Sequence, residues 1–158
     1  MTPSRPSLSP AGLVAEEIRR YEALLQVLEA ESSALCRLDY SALQQAADAK
    51  QDLVANLELL AREREVQLRA GGHALTETAI RRWLAAGETR GADAWDRLRE
   101  VARAARDANA RNGRMLARCN RHFSSALHAL LDAAGVPSVY GADGTARRAA
   151  ASRVHAAT

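Results

Sequence analysis

From Asp93 to Ala134 the chain has no proline and a single glycine, Gly113, so nothing interrupts a helix for about eleven turns. Along it Leu98, Ala102, Ala105, Asn109, Asn112, Leu116, Cys119, Phe123, Ala126 and Leu130 recur in alternating steps of four and three, the heptad spacing of a helix buried along one seam. A stripe of that kind needs partner helices. Asn109, Asn112 and Gly113 are its structural exceptions. A seam Asn either bonds across to a partner, specifying register at some expense in stability, or turns to the seam's edge. Gly113 costs about 1 kcal/mol relative to Ala inside a helix, so it is either tolerated or permits a close backbone approach.

The partners are to be sought in the first 90 residues. Aromatic residues make up only 4% of a 158-residue chain. An apolar fraction dominated by Ala and Leu suits closely packed helices better than a sheet. From Val14 the same steps carry Ile18, Tyr21, Leu25, Leu28, Ser32 and Leu35. Ser9-Pro10 ahead of them is a favourable cap and first position, because Ser accepts from a free backbone N–H and Pro has none to leave unpaired. Asp39 marks a cap and a reversal. A second helix then carries Leu43, Ala46, Lys50, Leu53, Leu57, Leu60 and Arg64, ending before Gly71-Gly72. A short piece with Ile80, Trp83 and Leu84 on one side reads as a cap over the hairpin, with Trp83 buried and Gly91 to Asp93 breaking the chain before the long helix.

The expected fold is therefore all-α: an elongated antiparallel three-helix coiled-coil bundle with a short capping helix and a flexible C-terminal tail. Its expected parts are a disordered lead-in over 1–9, a bundle over 10–134 with helices at about 10–37, 41–70, 75–86 and 93–134, and a mobile tail over 135–158. The two hairpin helices reach roughly 40 to 45 Å and the long one roughly 63 Å at 1.5 Å per residue. An apolar overhang of Phe123, Leu127, Leu130 and Leu131 is left for a second copy, a partner or the tail to cover. In the tail, Val139-Tyr140 is an apolar pair that either folds back or binds something.

Charge is unevenly spread. Residues 1–70 hold 8 basic and 11 acidic groups, and residues 71–158 hold 14 and 8. Two readings fit, an acidic hairpin whose edge charges pair with a basic helix and a nucleic-acid-binding face; the first accounts for both halves and no nucleic acid is expected. Glu22, Glu29 and Glu31 fall off the first helix's seam and read as solvated. Lys50 on a seam must reach solvent or find a carboxylate, and snorkelling is its simplest fate.

Chemistry finds no foothold. His122 and His128 sit about 120° apart on their helix and lack a further ligand at metal spacing. Gly141 and Gly144 lack the strand and helix of a phosphate loop, and Ser124-Ser125 have no evident base. Cys36 and Cys119 have neither metal nor redox spacing and read as small apolar residues in a reducing compartment. No catalytic site, cofactor or metal is expected, and with neither a signal core nor an apolar span the expected location is the cytoplasm.

Arg82-Trp83, Asn109 with Asn112-Gly113, and Val139-Tyr140-Gly141-Ala142-Asp143-Gly144 resemble the FlgN-type flagellar export chaperones. The first hairpin is similar too, including the Glu31 region, the Leu38-Asp39 turn and the start of helix two around Lys50. The resemblance implies a cytosolic type III secretion chaperone for the hook-filament junction proteins. It would hold their C-terminal helical segments, prevent premature assembly and deliver them to the cytosolic domain of the membrane export gate. It places client binding on Phe123, Leu127, Leu130, Leu131, Val136 and Val139 and gate binding on Tyr140. A homodimer is one further way to cover the overhang, and a structural coiled-coil spacer is the rival that needs no open seam.

Overall fold

The computed structural model describes residues 8–86 and 91–134, which form four helices: α1 Pro10–Arg37, α2 Tyr40–Ala70, α3 Glu77–Ala85 and α4 Gly91–Ala133. No strand occurs among the described residues. The helices start where polar caps supply acceptors for free N–H groups. Ser9 Oγ accepts from the Gly12 N–H at 3.1 Å, with Pro10 in the first helical position. Asp39 Oδ1 accepts from Ala42 at 3.0 Å and Thr76 Oγ1 from Ala79 at 3.3 Å. α1 stops at Leu38, whose φ of 54° is left-handed, and the next N–H, that of Asp39, reaches back to the Ala34 carbonyl at 3.0 Å. A leucine held there costs about 1 kcal/mol. Gly72, at φ 71°, fills the equivalent place after α2 without that penalty.

These boundaries fall within two residues of expectation. Gly91 and Ala92 lie inside α4 instead of breaking the chain before it. Of the expected lead-in, Leu8 and Ser9 are ordered against the body, the Leu8 carbonyl accepting from Gln67 Nε2 at 3.0 Å. Residues 1–7 and the tail 135–158 lie outside the described residues, and with them Val136, Val139 and Tyr140.

The chain divides into two compact units at Gly113 and Arg114. In the first, α1 and α2 form an antiparallel hairpin, Glu17 facing Arg64 and Glu31 facing Lys50. α4 runs parallel to α1: Arg97 bonds Glu22 at 3.0 Å and Asn112, further along, reaches Leu28 and Glu31. The core has two parts. One gathers Leu13 and Val14 from α1, Leu68 from α2, Ile80, Trp83 and Leu84 from α3, and Leu98 and Val101 from α4, which makes α3 the cap over one end and buries Trp83 as its sequence suggested. The other joins Leu24 and Leu28 to Leu57, Ala105 and Ala108.

α4 packs through Leu98, Val101, Ala105, Ala108 and Asn112. The expected alternates do less: Ala102 is half-buried and Asn109 exposed, about 60° round the helix from the packed line. Steps of three-then-four and four-then-three share every seventh residue, and packing chose the line with Val101 over the line with Asn109. Gly113 is exposed and a Cβ there would meet open space, so it is tolerated and permits no close approach.

Candidate functional site

α1 presents two acids to its neighbours. Glu17 is 3% exposed and Glu31 8%. Burying a carboxylate is affordable only when it is paired and fully hydrogen-bonded. Glu17 takes both arms of Arg64, Nε at 2.7 Å and Nη2 at 3.3 Å, and the same guanidinium lies 5.2 Å from the Trp95 ring centroid. The fork geometry and the aromatic face are what arginine offers and lysine does not. Glu31 pairs through Oε1 with the Lys50 ammonium. Its other oxygen accepts from Asn112 Nδ2 at 2.8 Å, and that amide also donates to the Leu28 carbonyl at 2.7 Å. One buried amide thus ties α4 to α1 and spends both of its hydrogens doing so.

Two expectations are corrected here. Glu31 is not solvated: it occupies the line Val14, Glu17, Tyr21, Leu24, Leu28, Glu31, Leu35, which is as good a heptad as the one through Ile18 and Ser32 and which faces both partner helices. Lys50 does not snorkel free but finds that carboxylate. The missed signal was arithmetic: Glu17 and Glu31 are 14 residues apart, as are Lys50 and Arg64, two heptads in each helix.

Beside this clasp α2 and α4 stand apart, leaving a groove of about 540 Å³ lined by Tyr21, Leu24 and Leu28 from α1, Ala47, Lys50, Gln51 and Val54 from α2, and Ala102, Ala105, Arg106 and Asn109 from α4. Its floor is apolar, and its polar groups lie on the two walls.

In the second unit, Leu116, Phe123, Leu127 and Leu130 are exposed by 41%, 50%, 57% and 69%. They fall within about 40° of one direction on α4, while Arg114, Arg118 and Arg121 lie about 140 to 160° away. Leu131 is half-buried. The described part of the expected client strip is therefore largely open.

The pairing of an acidic hairpin with a basic helix holds for one end of α4 only. Arg97 bonds Glu22 of the hairpin, while Arg99 bonds Glu77 of the capping helix at 2.7 Å. Arg103, Arg106, Arg111, Arg114, Arg118 and Arg121 make no ion pair among the described residues. At the cap, the Arg81 guanidinium holds the exposed Asp96 carboxyl below its ordinary range. No cluster of His, Cys, Asp or Glu could hold a metal ion among the described residues. Cys36 is exposed and Cys119 half-buried. No helix among them is long and apolar enough to cross a membrane.

A helical hairpin with the first part of a third helix laid along it, a short helix capping one end and, further along that third helix, exposed apolar side chains define an all-α protein. The model of the FlgN protein family matches residues 9–148, and the chain belongs to that family. A crystal structure from Pseudomonas aeruginosa, of a protein described as flagella synthesis protein FlgN, is 36% identical and superposes with a TM-score of 0.60, covering 66% of this chain and 83% of that one. No curated protein matches. Membership gives the chain a role in building the flagellum.

Proposed function

We propose that the chain is a cytoplasmic flagellar export chaperone that binds hook-filament junction proteins and delivers them to the type III export gate. It acts by offering surface and carries no catalytic activity. The observation that carries this reading is the open strip Leu116, Phe123, Leu127 and Leu130, on a helix whose earlier apolar positions are buried. A disordered client segment that folds as an amphipathic helix could lay its apolar face there and offset its ordering cost by the area covered. Val136 and Val139 would extend the strip and Tyr140 would meet the cytosolic domain of the gate; a second copy would compete with client for the same side chains.

The test is titration calorimetry of the full chain with the C-terminal helical segment of each junction protein. Phe123→Ser with Leu127→Ser should weaken binding at least tenfold while circular dichroism stays unchanged, and removal of 135–158 should weaken client or gate binding. Equal affinity for wild type and both variants overturns the reading. The six arginines of α4 that make no ion pair among the described residues favour one rival, binding of nucleic acid along its polar face. That rival requires affinity for a DNA or RNA duplex that falls steeply with salt, whereas capture of an apolar helix should change little between 50 and about 200 mM salt.

A further inference from the structure

The groove between α2 and α4 is separate from the strip and none of its lining residues belongs to the second unit. Its volume of about 540 Å³ sits mid-range for binding sites, which run from roughly 300 to 1,000 Å³. Its shape narrows the choice of occupant. Each wall contributes about seven residues of helix, roughly 10 Å, and the floor is α1, antiparallel to α2 and parallel to α4. This is the outline of a missing fourth helix in a bundle, two to three turns long. The floor of Tyr21, Leu24 and Leu28, with Ala47, Val54, Ala102 and Ala105 above it, asks for apolar side chains.

The walls choose the charge. Lys50 has three N–H donors and gives one to Glu31. Arg106 has five and makes no ion pair among the described residues. Gln51 and Asn109 supply amides, and no carboxylate lines the groove. A neutral helix would leave these donors to water and a basic one would meet two cations. An acidic one gains charge-assisted bonds at the edge of an apolar contact.

We propose that this groove is a second docking site, one that takes a two- to three-turn amphipathic helix of a partner protein with its apolar face on Tyr21, Leu24 and Leu28 and a carboxylate set between Lys50 and Arg106. The site stands whether or not the strip on α4 binds export clients, because the two share no residue.

The experiment uses the full chain and two synthetic 14-residue helical peptides that share one leucine face and differ only in carrying Glu or Lys along its edge. Backbone and methyl NMR should show the Glu peptide shifting Ala47, Val54, Ala102 and Ala105, with the Lys peptide binding at least tenfold more weakly. Arg106→Glu, at an exposed position that leaves the fold intact, should reverse the ranking. Ala47→Leu with Ala102→Leu should fill the groove and lower affinity for the Glu peptide at least tenfold. Phe123→Ser should leave it unchanged. Equal binding of the two peptides, shifts confined to residues 116–130, or indifference to Arg106→Glu would overturn the proposal. So would the same groove signals moving with chain concentration alone, which would make the occupant a second copy, or on removal of 135–158, which would make it the chain's own tail.

Discussion

Two stretches of this chain carry the same heptad spacing and meet opposite fates. In the body formed by α1, α2 and the first half of α4, the positions that pack are buried or half-buried and even the charges among them, Glu17, Glu31, Lys50 and Arg64, are matched. Past Gly113, Leu116, Phe123, Leu127 and Leu130 keep the spacing and stay in water, and the arginines behind them have no acidic partner among the described residues. Periodicity records that a face is made to be covered. It does not record by what. The supply of complementary charge separates the two cases: no Asp or Glu occurs between Asp107 and Asp132.

The contrast can be broken most forcefully in the body. Glu31→Leu leaves the Lys50 ammonium without its carboxylate and the Asn112 amide with only its bond to the Leu28 carbonyl, and should cost about 3 kcal/mol in urea unfolding. Adding Lys50→Leu should recover most of that loss, because an apolar pair replaces an orphaned cation. A comparison of leucines sharpens the same point. Leu28→Ala, at a residue 1% exposed, should lower stability by about 3 kcal/mol. Leu130→Ala, at 69% exposed, should stay within about 0.5 kcal/mol in the same assay. Gly113→Ala, facing open space, should stabilise by up to about 1 kcal/mol and raise the melting temperature. If it lowers the melting point instead, a Cβ at this position does not meet open space. The smallest effect concerns acid. Asp96 is held below its ordinary value of 3.8, chiefly by its hydrogen bond from Arg81. Its stabilisation is complete above that value and fades as pH falls through the lower folded value, so Asp96→Asn should slightly lower the melting temperature at neutrality and flatten its pH dependence below about 3.8.

Much of the fold was legible because local chemistry and long-range packing agree. Ser9-Pro10, Asp39 and Gly71-Gly72 punctuate the helices where their backbone groups need partners, and Trp83 sits on the one apolar side of a short helix. Reading failed where two heptad lines compete. The line through Ile18, Leu25 and Ser32 looked more apolar than the one through Glu17, Leu24 and Glu31, yet α1 has two neighbours and needs both. Stepping on from Leu98 by four and then three places Asn109 in the seam, whereas packing steps by three and then four through Val101 and Ala108. The groove left no trace in the periodicity at all. It exists because α2 and α4 do not close on each other, a property of three helices together that no single helix encodes.

The hairpin's two charge pairs have one further meaning. Positions 17 and 64, like 31 and 50, add to the same number, so a single alignment of α1 on α2 satisfies both, and sliding either helix by one heptad satisfies neither. Natural variation at these sites should therefore travel in couples. A relative that loses its acid at the position of Glu17 is expected to replace the arginine opposite, and a relative that exchanges the two signs is expected to do so at both ends of the contact at once.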